Sequence, residues 1–124
     1  MSLGVLLGVA IGGALGATLR YLTAQMVGTS SGFPLGTFLV NIIGCFAIGI
    51  CYVLITEKSI LPELWRPILM AGFLGGLTTF SSYSLEAIQL FEDGRWQLAL
   101  GYIVFSVIFC ILAAFSGVLL ARAV

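Results

Sequence analysis

The sequence predicts an all-α membrane protein of four transmembrane helices, with the third helix broken partway across the bilayer. Three observations carry this reading. The chain of 124 residues is 60% hydrophobic and only 8% charged, more apolar surface than a soluble domain of this size can hide, because small domains leave much of their surface exposed. The charges are bunched, leaving uncharged runs at 1–19, 21–56, 67–85 and 96–121. Each run approaches or exceeds the ~20 apolar residues that cross ~30 Å of hydrocarbon. Finally, Gly72 to Glu86 reads GFLGGLTTFSSYSLE, which puts a glycine pair, hydroxyls and a carboxylate inside the third run and its end. The whole chain, 1–124, reads as one transmembrane domain.

The first helix is expected over about 3–27. It lacks a basic leading region and outruns the ~7–15 apolar residues of a signal peptide, so it reads as a retained helix. Gly4, Gly8, Gly12 and Gly16 recur at every fourth position. In lipid, helices associate through close backbone approach, so this stripe reads as a packing face. The turn-rich link GTSSGFP (28–34) precedes a second helix at about 35–56. The polar hairpin TEKSILPELWRP (56–67) leads into a third at about 67–91, with Pro67 in its first turn. EDG (92–94) turns the chain into a fourth helix at about 95–121, where Ala113, Gly117 and Ala121 form a second small-residue stripe. Trp65 and Trp96 fall at the expected water boundaries.

Orientation is weakly specified. Four crossings put Lys58, Arg66 and Arg122 on one side and Arg20 and Arg95 on the other, a bias of one charge by the positive-inside rule. Insertion in both orientations follows, and two opposed copies can pair as an antiparallel dimer. If Arg20 lies too deep to count, the bias is larger and one orientation prevails.

Gly75 and Gly76 weaken the third helix by ~1 kcal/mol each relative to alanine, and the hydroxyls of Thr78 and Thr79 compete for backbone carbonyls. A break near the bilayer centre follows. Freed carbonyls in hydrocarbon need protein, water or an ion, and carbonyl oxygens suit a hard cation. A kink patched by threonine side chains and water answers the same residues. Beyond the break, Phe80 and Tyr83 share a face, as do Ser81 and Ser84, with Glu86 further along. Ring edges are electropositive, so edges and hydroxyls can line a path for a small anion without any fixed positive charge. Asn41, in the second helix, adds an amide. Interhelical hydrogen bonding explains such groups individually; their density argues for a permeation route. Arg20 can snorkel, draw anions to a vestibule, or pair with Glu86.

Other classes are excluded by what is missing. Net charge is zero with no basic cluster, so nucleic acid is not an expected partner. With no histidine and no nucleophile–base pair, an enzyme is not expected. Cys45, Cys51 and Cys110 lie in apolar runs without ligand spacing and read as small buried hydrophobes. A four-helix, proton-coupled multidrug-type exporter is the alternative, but it requires a carboxylate within the first helix, and that helix has none.

The combination of GGLTTFSSYS (75–84) with GGALGATLRY (12–21) and PLGTFLVN (34–41) resembles the bacterial fluoride-specific ion channel family (Fluc) over essentially the whole chain. The resemblance implies a passive fluoride-selective channel of the bacterial plasma (inner) membrane that lets cytoplasmic fluoride leave the cell. It implies an antiparallel dual-topology homodimer with two pores. A structural sodium ion at the dimer interface would be held by backbone carbonyls of Gly75 and Thr78, with no organic cofactor. The fluoride pathway would comprise Asn41, the aromatic pair Phe80 and Tyr83, and a polar track of Ser81, Ser84 and Glu86, with Arg20 at the vestibule. The family usually has Phe where this chain has Tyr83, which leaves open whether the ring edge or the hydroxyl meets the ion.

Overall fold

The computed structural model describes residues Met1–Val124. Four helical segments, Leu3–Val27, Leu35–Glu57, Arg66–Glu92 and Trp96–Ala123, are long and apolar enough to cross a membrane. No strand is present; an isolated bridge pairs Ser30 with Phe33. Helix α1 spans Leu3–Val27 and α2 spans Leu35–Tyr52, continued by a wide π-helical turn over Val53–Glu57. The third segment opens as a π-helical stretch, Arg66–Leu74, and tightens into a single α turn, α3, at Gly75–Leu77. It resumes as α4 at Phe80–Glu92, and α5 runs over Trp96–Ala123.

The glycine stripes set the packing. Along α1, Gly8, Gly12 and Gly16 face Ile68, Phe73 and Leu77 of the third segment, whereas a Cβ at Gly4 would meet the Ser2 hydroxyl at 3.9 Å and nothing of another helix. The fit is reciprocal. A methyl group added at Gly72 would lie 2.9 Å from the carbonyl oxygen of Val9, and one at Gly76 would lie 2.6 Å from that of Gly13. Here, backbone runs against backbone. Between α2 and α5 the same device recurs, with Gly49 against Ala114 and Val118, and Gly117 against Phe46 and Ile50. Close approach of this kind supplies the dispersion contacts that hold helices together when lipid offers no hydrophobic drive.

Two small cores result. Val40, Leu74 and Leu77 pack where α2 meets the third segment. Tyr83, Ala87, Leu90, Ala99 and Tyr102 join α4 to α5. Only 21 of 124 residues are buried, so most apolar side chains of α1 and α5 face outward, as a chain surrounded by hydrocarbon requires. The ends are fastened by polar contacts. Arg122 makes a bidentate pair with Glu57, at 2.9 and 2.6 Å. In the 28–34 link, Gly28, Ser31 and Gly32 have positive φ, and Arg95 donates to the Ser31 carbonyl at 2.7 Å.

The expected break rested on two glycines and two threonines, and in the structure these play different parts. Gly75 and Gly76 stay helical, and the extended residues are Thr78 (φ −86°, ψ 158°) and Thr79 (φ −151°, ψ 124°). The glycines serve contact with α1 instead, because side-chain-free backbone at Gly72 and Gly76 is what lets the two segments approach. Helix propensity is a weak preference that such packing overrides.

Candidate functional site

At the interruption, one side chain does the work of a missing helical turn. Asn41 of α2 accepts from Thr79 N–H at 2.7 Å and donates through Nδ2 to the Thr79 carbonyl at 3.0 Å. In a continuous helix Thr79 N–H would bond to the Gly75 carbonyl, so that oxygen is released. The Gly76 carbonyl takes Arg20 Nε instead, at 3.0 Å. Thr79 acts as the N-cap of α4, its hydroxyl accepting from Ser82 N–H at 3.0 Å. Ser82 would otherwise serve the Thr78 carbonyl, which is likewise released. Thr78 Oγ1 bonds back to the Leu74 carbonyl at 3.0 Å. Each buried amide left unpartnered costs about 1–3 kcal/mol, so the Asn41 clasp is what makes an extended dipeptide tolerable here.

Beside the clasp lies an open cavity of about 290 Å³, lined by Asn41, Cys45, Thr78, Thr79, Phe80, Tyr83, Ser106, Val107, Cys110 and Ile111. None of these side chains carries a charge. Asn41 has two Nδ2 hydrogens and uses one on Thr79, leaving one donor to offer. Ser106 Oγ is buried and has no hydrogen-bond partner. A hydroxyl in that condition is a donor waiting for an acceptor.

The aromatic pair is in place. Phe80 and Tyr83 stand with ring centroids 5.3 Å apart, and Tyr83 meets Tyr102 edge-on at 5.1 Å. The chain of rings continues through Phe33 to Phe38 and Phe109. Tyr83 donates its hydroxyl to the Ile103 carbonyl at 2.7 Å. That leaves its ring, not its hydroxyl proton, for the cavity.

Structure therefore brings together Asn41, Phe80 and Tyr83, and places the remaining candidates differently. Ser81 Oγ lies 3.3 Å from Thr79 Oγ1, and Ser84 donates to the Phe80 carbonyl one turn back. Glu86 stands apart from the cavity lining, its carboxylate held by the Thr37 hydroxyl at 3.0 Å and the Tyr102 hydroxyl at 3.1 Å. Arg20 does not pair with it. Three residues that matter were not singled out from sequence: Thr37, Tyr102 and Ser106. A signal was available, since Thr37 lies one turn before Asn41 on α2, and Tyr102 lies one turn before Ser106 on α5. Both pairs share a helix face.

The fold and this cavity define a class: a small polytopic membrane protein organised around an interrupted helix and an uncharged, donor-bearing cavity. The chain belongs to the CrcB-like protein family (Camphor Resistance, CrcB), whose model matches residues 7–118. It is 42% identical over 117 residues to the fluoride-specific ion channel FluC of Saccharophagus degradans, covering 94% of this chain and 88% of that protein. Identity with the FluC of Hahella chejuensis is 46% over 125 residues, covering 98% of each. With the fluoride-specific ion channel FluC 2 of Nocardia farcinica it is 48% over 117 residues, covering 94% of this chain and 81% of the other.

Proposed function

We propose that this protein is a passive fluoride-selective channel, not an enzyme, which lets cytoplasmic fluoride leave the cell across the bacterial plasma membrane. One observation carries the reading: the cavity offers hydrogen-bond donors and ring edges but no charged side chain. Fluoride entering an apolar interior must replace hydration with short donor contacts, and a fixed cation among them would hold the ion instead of passing it. The free Asn41 N–H, the Ser106 hydroxyl and the edges of Phe80 and Tyr83 supply such contacts. Ser81, Ser84 and Glu86 continue the polar route along α4, and Arg20 raises local anion concentration at the vestibule. The names of the relatives agree. Proteoliposomes holding the purified protein are expected to release fluoride far faster than chloride, with no ATP and no imposed proton gradient. Equal rates for the two halides would defeat the assignment.

The working unit in this reading is an antiparallel dimer with a structural sodium ion at its centre, the broken helix lying near mid-membrane. Support comes from the surface of the single chain: Phe80 is 76% exposed and Gly75 is exposed, although both belong to the polar centre of the molecule. A second copy would cover them. The carbonyls of Gly75 and Thr78, freed from their helical donors, fit a hard cation that takes oxygen ligands, and two opposed copies would present four. Exhaustive dialysis against sodium-free buffer is expected to weaken the dimer on sizing. An unchanged oligomer after verified depletion would count against the ion.

A further inference from the structure

Two thiols line the same cavity. Cys45 lies one helical turn beyond Asn41 on α2, and Cys110 lies one turn beyond Ser106 on α5, so each shares the cavity-facing side of its helix with a polar group. Both are free and half-buried. The third cysteine, Cys51, packs instead against the Val40, Leu74 and Leu77 cluster. Two thiols bordering one cavity whose lining has no carboxylate and no imidazole suit a soft ion that accepts linear coordination.

We propose that Cys45 and Cys110 form a two-thiol site for a thiophilic metal ion such as mercuric, cuprous or silver ion, and that its occupancy blocks the pathway. Binding is a simple exchange: each S–H gives its proton to solvent and each sulfur forms one bond to the metal, with no change of oxidation state. The bound ion, held by two thiolates and therefore without net positive charge, fills part of a cavity of about 290 Å³ and obstructs it. Metal binding does not depend on the channel reading; the block does.

The test uses the full-length protein with Cys51→Ala, so that the two cavity thiols are the only cysteines. Titration with mercuric nitrate followed by intact-mass measurement is expected to give one mercury per chain, removable with excess dithiothreitol. The same treatment is expected to slow fluoride efflux from proteoliposomes at least ten-fold, reversibly. Cys45→Ser or Cys110→Ser, each measured against its own untreated rate, is expected to lose the bridged species and most of the block. Two mercury ions per chain, or none, would overturn the site. One bound mercury with unchanged efflux would overturn the block while leaving the site. A protein that never conducts fluoride but binds one mercury per chain would refute the channel reading and not the thiol pair.

Discussion

The hydroxyl of Tyr83 is donated to the Ile103 carbonyl, and this decides what its removal should do. Tyr83→Phe keeps the ring edge and deletes a hydrogen bond worth about 0.5–1.5 kcal/mol. Efflux is expected to stay within about three-fold of the parent, since a ten-fold loss needs ~1.4 kcal/mol in the barrier. A modest fall in thermal stability should accompany it. Phe80→Ile removes the electropositive edge and adds no donor, so efflux should vanish. Stopped-flow or electrode measurement at matched protein density separates the cases. A ten-fold loss for Tyr83→Phe would mean that the hydroxyl turns to the ion, and an active Phe80→Ile would remove Phe80 from the route. At this scale the sequence was informative about residue type and poor about partners. Three-residue spacing put Phe80 and Tyr83 on one face. No local pattern could say that Glu86 is met by Thr37 and Tyr102, because those contacts join three helices.

Helices were legible because lipid imposes length and polarity on them, so that clusters of charge mark where each one ends. A break was read from Gly75, Gly76, Thr78 and Thr79 together, and the structure separates the parts those residues play. Glycine propensity pointed to Gly75 and Gly76, yet the residues that leave helical geometry are Thr78 and Thr79, chosen by an amide that arrives from α2. Glycine roles can be separated experimentally. An alanine methyl at Gly76 would sit 2.6 Å from the Gly13 carbonyl oxygen, whereas at Gly101 its nearest neighbours are side-chain atoms of Phe105 at 3.8 Å. Gly76→Ala is therefore expected to destabilise by about 1–3 kcal/mol as the segments are forced apart. Gly101→Ala is expected to be neutral or to stabilise by up to ~1 kcal/mol through helix propensity. Thermal unfolding in detergent checks both. Similar melting temperatures for the two would show that the α1 seam is looser than its geometry.

For the molecule as a whole, the near balance of Lys58, Arg66 and Arg122 against Arg20 and Arg95 is the feature that bears on assembly. Arg122 is bound to Glu57, but acidic partners contribute little to orientation, so the pair does not disturb the balance. C-terminal reporter fusions are expected to be active on both sides of the membrane. Two lysines added to the 28–33 link should shift the ratio measurably. Reporters confined to one side would exclude an antiparallel pair. An apolar exterior was evident from composition alone. Which parts of that exterior would meet lipid and which a second copy in the proposed dimer was not, because both partners are equally apolar and leave the same mark on a sequence.

The Asn41 clasp has a consequence for biogenesis. The peptide group of Thr79, out of helical geometry, is paired by an amide from α2; without that partner it would lie unsatisfied in hydrocarbon, so the segment Arg66–Glu92 should enter the bilayer as one unbroken rod and fracture only after docking. Disruption is then a late, conditional event in assembly, and a chain denied the clasp should heal rather than unravel. With Asn41→Ala, spin labels placed on either side of Thr78–Thr79 are expected to move to the separation of a continuous helix, ~1.5 Å per residue. Labels that kept the parent spacing would show that the fracture is written into the third segment itself.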